Sequence, residues 1–245
     1  MAKPIDMAKQ IEIAKGIVAH ASGALWMEAA GALLVADAHL GYGWAQRRKG
    51  ELGPVGDGGA AERLRTLVKQ FAPRELVFLG DTVHAPKPLP EERRGVEEVI
   101  SHLAERTRVK VVEGNHDRAF RRDFGHLPVE VEKQWRWEDC LALHGDKLHL
   151  ELPEAGYYIV GHFHPAVGLR DDAGARRRVP VFLAGTRGCA LPAFSPFASG
   201  FDILRDRLPR ELKEVLGEYR VLPATGRQVV ELPAAALREM RETLT

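Results

Sequence analysis

Five short segments gather side chains that can bind metal ions or move protons: Asp37-Ala38-His39, Gly80-Asp81, Gly114-Asn115-His116-Asp117, His144-Gly145-Asp146 and Gly161-His162-Phe163-His164. The metal donors among them are Asp37, His39, Asp81, Asn115, His144, His162 and His164, all oxygen or nitrogen and none sulfur. Such a set admits Mn²⁺, Fe or Zn²⁺ and excludes chemistry that selects thiolates. Seven donors serve two ions if one carboxylate is shared, and hydrolytic two-metal sites hold their ions about 3.5–4 Å apart, a span that suits a short aspartate. In Asp37-x-His39 and His162-x-His164 the paired side chains are two residues apart, so on extended backbone they project to one side. Glycines 80, 114, 145 and 161 let the backbone turn sharply or pass close to the ions.

Each cluster follows a short apolar run. Ala32–Ala36 reads as a buried strand entering Asp37, Glu75–Leu79 enters Gly80-Asp81, and Val109–Val112 enters the block at Gly114. Cys140–Leu143 precedes His144, Tyr157–Val160 precedes Gly161-His162, and Val179–Leu183 is a further strand. Between them lie two helical patterns. One runs from an Asp57 N-cap through Leu64, Leu67, Val68 and Phe71 to a stop at Pro73. The other spans Pro90–Arg106, with proline at its start, acids in its first turn and Arg106 at its end. Residues 1–17 carry a weak amphipathic helical pattern, and Asp171–Arg178 reads as a polar hairpin or loop turning at Gly174. The order is that of an α/β protein whose second half is richer in sheet. Polar clusters at strand C-terminal ends mark the ligand crevice of such sheets.

In this order the five blocks resemble the calcineurin-like metallophosphoesterase superfamily, whose pattern is DxH, GD, GNH[DE], H and GHxH. All five are intact between Asp37 and His164. The resemblance implies an α/β (α+β) four-layer sandwich, two facing mixed β-sheets flanked by helices. Residues 21–205 would form the metallophosphoesterase domain, 1–20 an N-terminal extension and 206–245 a C-terminal tail packed on the same domain. It implies two divalent ions, Mn²⁺ foremost with Fe or Zn²⁺ as alternatives. One site resembles Asp37, His39, Asp81 and His164; the other resembles Asp81, Asn115, His144 and His162, with Asp81 bridging. His116 matches the family's non-ligand histidine, which donates a proton to the leaving oxygen, and Asp117 its orienting partner. The implied reaction is phosphoester hydrolysis by a hydroxide activated between the ions.

The surroundings are similar to a bacterial subgroup, the ligase-associated DNA-damage-response phosphoesterases, which are endonucleases. The similarity lies in residues 33–41, 80–85, 114–118 and 161–167, and in LeuProAlaPheSerProPheAlaSerGly (191–200), outside the generic metal motifs. It implies a DNA substrate in repair, with a DNA ligase and a helicase or exonuclease as partners. The chain departs from the GDxxD form by carrying His84, which would touch substrate or support the site through a hydrogen bond. Arg118 would clamp a phosphate or make an ion pair.

Lys+Arg number 35 against 34 Asp+Glu, a formal net charge of +1. That balance argues against coating nucleic acid by bulk charge. It keeps open a small-molecule enzyme, a phosphodiesterase or phosphomonoesterase acting on cyclic or modified nucleotides. Arg47, Arg48 and Lys49, in a Gly-rich loop beside Trp44, are the candidate nucleic-acid contact. Arg176, Arg177 and Arg178 read as an exposed hairpin tip, and Phe194, Pro196 and Phe197 as packing. ThrValHis after Gly80-Asp81 argues against a protein serine/threonine phosphatase, and a complete ligand set argues against a decayed scaffold. Cys140 and Cys189 read as small buried hydrophobes of a reduced compartment. No run reaches the 18 apolar residues of a membrane span, and the N-terminus, with Asp6 and Glu12, is unlike a signal peptide. The expected location is the cytoplasm, with no membrane partner.

Overall fold

The computed structural model describes residues 9–48, 50, 59–170, 176–198 and 200–242. Seven strands form a first sheet in which spatial order equals chain order. They are β1 (Gln10–Ala14), β2 (Ile17–His20), β3 (Leu25–Met27), β4 (Ala32–Ala36), β5 (Glu75–Leu79), β6 (Arg108–Val112) and β7 (Val129–Glu132). The pairs from β1 to β4 are antiparallel and those from β4 to β7 parallel. The second sheet contains β8 (Trp135–Trp137), β9 (Cys140–Leu143), β10 (Tyr157–Val160), β11 (Pro165–Arg170), β12 (Arg176–Gly185), β13 (Gly188–Ala190) and β14 (Phe201–Asp202), with β15 (Tyr219–Pro223) paired to β12.

The alternation of side chains along a strand explains the layering. Leu34 and Ala36 of β4, with Val77 and Leu79 of β5, pack into a core between the sheets with Ile159, Phe182 and Leu222. Leu33, Val35, Leu76 and Phe78 point the other way, against helices α2 (Ala60–Phe71) and α3 (Pro90–Ala104), and α1 (Tyr42–Arg48) packs beside α3. Both faces of β4 are therefore covered, which is why AlaLeuLeuValAla is apolar without interruption. After the short α4 (Phe120–Phe124), the far face of the second sheet is closed by α5 (Arg210–Leu216) and α6 (Ala234–Glu242). Leu212, Val215 and Leu216 of α5 pack there on Leu141, Val160 and Leu183. The result is the helix–sheet–sheet–helix sandwich that the sequence implied. Among the described residues no helix is long and apolar enough to cross a membrane.

Three local expectations differ from the structure. Gln10–Ala14 is strand, not helix; Ile11 and Ile13 obey a two-residue period, and Lys15-Gly16 makes the turn into β2 with Gly16 at φ 69°. The segment before Lys49 is helix α1 rather than loop, and Arg176–Arg178 belong to strand β12. The Asp57 N-cap, Lys49 and Gly174 lie outside the described residues.

Candidate metal centre

Parallel register delivers the site. Ala36, Leu79 and Val112 are cross-strand partners, so Asp37, Asp81 and Asn115 leave three neighbouring strands at one edge. Leu143 and Val160 are likewise partners, bringing His144 and His162 to the matching edge of the second sheet. The edges are joined directly: the His162 amide donates to Asp37 Oδ2 at 2.9 Å, and His144 Nδ1 donates to the Leu79 carbonyl at 3.1 Å.

The two pairs of alternate residues do not sit on extended backbone. Asp37, His39, Asp81, His162 and His164 have φ of 53°, 45°, 46°, 69° and 46°. Left-handed backbone costs an L-residue about 1–2 kcal/mol, so these five positions concentrate strain that the surrounding sheets must hold, as happens at functional sites. Turning at each position still brings the pairs together, with His164 Nε2 at 3.1 Å from Asp37 Oδ1. Two glycines permit the crowding. A Cβ on Gly80, at φ 74°, would lie 2.2 Å from His144 Nδ1, and one on Gly114 would lie 2.4 Å from the amide nitrogen and Oδ1 of Asp81.

The donors form three overlapping groups: Asp37, His39 and His164; His39, Asp81 and His116; and Asp81, His144 and His162. Within each group the ligand atoms lie within 4.8 Å of one another. With Nδ1 donating to the Leu79 carbonyl, His144 turns Nε2 toward the site. Around that nitrogen stand Asn115 Oδ1 at 3.0 Å, His162 Nδ1 at 3.2 Å and Asp81 Oδ1 at 3.4 Å. Oxygen and nitrogen donors from three loops thus converge on one point, as the ligands of a shared cation do. His39 Nδ1 is buried and makes no hydrogen bond among the described residues. Both observations fit divalent ions, and the absence of sulfur fits ions that take oxygen and imidazole ligands.

Burial and charge hold the ligands in binding form. Burial pushes His39 down to about 3, an effect that Asp37 only partly offsets, so its imidazole is neutral at physiological pH. Burial alone would raise the Asp37 carboxyl, but His164, His144 and His39 reverse that and hold it below its ordinary value. His162 is lowered by burial and by His144.

His116 lies beside this array. Its Nδ1 donates to the His84 carbonyl at 3.0 Å, its amide donates to Asp81 Oδ1 at 2.9 Å, and its Nε2 is 3.9 Å from Asp81 Oδ2. The resemblance implied that Asp117 orients that ring, but the ring bonds the His84 carbonyl and not Asp117. Its buried carboxylate instead accepts the amides of Thr82 at 3.0 Å, Gly114 at 3.2 Å and Val83 at 3.3 Å, tying the Asp81 loop to the Asn115 loop. Burial, opposed by those amides and reinforced by Asp81, lifts this carboxyl to about 6.

His84 lies among the site rings, 5.4 Å from His39, stacked on His116 at 6.1 Å and edge-on to Tyr42 at 4.7 Å. Its orienting carbonyl and the Tyr42 ring are contributions that motif spacing does not reveal. Arg118 is exposed next to His116 and makes no ion pair among the described residues. Arg47 is exposed on α1, five residues from Tyr42, whereas the Arg48 side chain and Lys49 lie outside the description.

A family model described as calcineurin-like phosphoesterase matches residues 32–164. Among solved structures, the nuclease MPE of Pseudomonas putida is 27% identical, with a TM-score of 0.68, covering 91% of this chain and 98% of that one. The phosphoesterase Yfce of E. coli is 16% identical, with a TM-score of 0.42, covering 82% of this chain and 97% of that one. Comparison with curated proteins gives no match.

Proposed function

The chain belongs to the calcineurin-like phosphoesterase family and is a metal-dependent phosphoesterase, and from that premise we propose that it cleaves phosphodiester bonds in nucleic acid with two divalent ions, Mn²⁺ foremost. The observation that carries the two-ion reading is the double membership of Asp81, whose carboxylate belongs to a donor group on either side of it. One ion would be held by Asp37, His39, Asp81 and His164, the other by Asp81, Asn115, His144 and His162. Bound there, two ions supply a water made acidic near neutral pH and positive charge for the phosphoryl oxygens.

The chain's own groups do the rest. His116, with Nδ1 committed to the His84 carbonyl, presents only Nε2 to a leaving oxygen, and acts as general acid from that nitrogen. Asp117 fixes the spacing between the loops of Asp81 and Asn115 and acts as a positioning residue. Arg118 and His84 are the substrate contacts nearest His116.

Two features support a polynucleotide over a small nucleotide. The Pseudomonas putida relative is a nuclease similar over 91% of this chain. Arg47 also extends from the helix whose Tyr42 packs on His84. A place in DNA repair, alongside a ligase and a helicase or exonuclease, extends the proposal through residues 191–200.

The test is a side-by-side assay with Mn²⁺ on bis-p-nitrophenyl phosphate, p-nitrophenyl phosphate and single-stranded DNA. Both diesters should turn over faster than the monoester. Diester hydrolysis without DNA cleavage would transfer the reading to a small-molecule phosphodiesterase, which the balanced net charge favours. Hydrolysis of the monoester alone would overturn the diester reading.

A further inference from the structure

Beside His164 a cleft of about 240 Å³ opens between Pro165 and Ala166 at the start of β11 and the turn carrying Ser195, Pro196 and Phe197, with Arg178 of β12 at its rim. The two phenylalanines of this turn have separate fates. Phe194 is fully buried in the helix-side core. Phe197 is half-buried, lines the cleft, and stacks on Tyr42 at 5.0 Å between centroids and 7° between planes. Tyr42 in turn packs edge-on against His84, which stacks on His116, so a continuous row of rings links the cleft to the acid.

The cleft wall is fixed relative to the metal donors by backbone hydrogen bonds. The Phe194 amide donates to the Ala36 carbonyl at 2.8 Å, that of Ser195 to the Asp37 carbonyl at 3.1 Å, and that of Phe201 to the His164 carbonyl at 2.8 Å. Arg178 is exposed and donates to the Gly200 carbonyl. It pairs with no carboxylate among the described residues, and a guanidinium has five N–H donors, so several remain for a phosphate.

The volume is below the roughly 300–1,000 Å³ of pockets that enclose drug-sized ligands, which suits a single nucleotide unit. It does not end there. A second cleft of about 400 Å³ shares Pro180, Ala193, Ser195 and Pro196 and reaches Arg63, whose guanidinium lies 4.0 Å over the Phe194 ring. A half-exposed, rigidly backed ring and a cation along one groove are what an unpaired strand uses, since stacking needs a free base face.

We infer that this cleft is a nucleotide subsite for an unpaired strand adjoining the scissile phosphate, with Phe197 as the stacking ring, Arg178 as the phosphate contact and the groove toward Arg63 as its continuation. The inference rests on the phosphodiester reading but is tested separately, by binding. Fluorescence anisotropy of labelled phosphorothioate oligothymidylate is measured on the Mn²⁺-loaded protein, with metal content and melting temperature verifying each variant. Phe197→Leu should weaken binding about fivefold or more, and Phe197→Trp should restore it to within about twofold. Arg178→Gln should weaken binding and reduce the slope of log K against log salt by about 0.7. A duplex of equal length should respond to none of these changes. Equal binding by wild type and Phe197→Leu, or equal losses on duplex and single strand, would overturn the subsite. A wild type that hydrolyses bis-p-nitrophenyl phosphate but binds no oligonucleotide would overturn it and leave the phosphodiester reading intact. The expected binding pattern in a protein without diesterase activity would do the reverse.

Discussion

Replacing His116 by alanine separates a proton donor from a metal ligand. The Nδ1 proton is spent on the His84 carbonyl at 3.0 Å, and Nε2, at 3.9 Å from Asp81 Oδ2, is too far to be spent on that carboxylate. A proton carried at Nε2 would therefore be free to pass to an oxygen arriving from solvent, and the side chain is 35% exposed. General acid assistance is worth about 10²–10⁴-fold. At 1.36 kcal/mol per tenfold this is about 3–5 kcal/mol of transition-state stabilisation. That loss should appear in kcat/KM for an oligonucleotide, whose leaving alkoxide needs protonation. For bis-p-nitrophenyl phosphate, whose leaving group departs unprotonated, the loss should stay below about tenfold. Metal content, read by mass spectrometry of the elements, should not change. Equal losses on both substrates would refute proton donation. A fall in metal content would move His116 into the ligand set with His39 and Asp81, the group in which its ring nitrogen also lies.

Gly114→Ala would force a Cβ to within 2.4 Å of the Asp81 backbone; urea unfolding should show about 1–3 kcal/mol of destabilisation, with activity falling alongside, and a wild-type midpoint would contradict the crowding. His20 is buried and lowered by that burial from 6.5 to about 4. The unfolded chain then takes up the proton first as pH falls, so the stabilisation is present above pH 6.5 and lost toward 4. His20→Gln should shrink the wild-type stability difference between pH 7 and pH 4.5 by about 2–3 kcal/mol, and parallel stability curves for the two proteins would count against it. Neutralising Arg47, Arg48 and Lys49 together should flatten the salt dependence of single-strand cleavage by about 2 in slope; an unchanged slope removes this segment as a strand contact.

The metal centre was legible because its chemistry coincides with strand ends. Runs such as AlaLeuLeuValAla are buried on both faces and stop where Asp37 begins, and parallel pairing alone aligns Asp37 with Asp81 and Asn115. Less was legible wherever the partner is remote in sequence. Nothing near Asp117 indicates that its carboxylate serves the amides of Thr82 and Val83, since that depends on how two loops cross. Phe194 and Phe197 look alike in the chain, and only the pinning of residues 194 and 195 to the end of β4 buries one ring and leaves the other in a cleft. The β1–β2 hairpin had a signal, the alternation of Ile11 and Ile13 before a glycine turn, but the helical spacing of the neighbouring isoleucines competed with it. Left-handed backbone at five site residues was invisible to an argument built on extended strands.

Anomalous scattering from crystals grown with Mn²⁺ tests the two-ion reading most directly. Two peaks about 3.5–4 Å apart are expected, both coordinated by the Asp81 carboxylate, one also by His39 and His164 and the other by His144 and His162. A single peak, or a pair that leaves Asp81 uncoordinated, would contradict it.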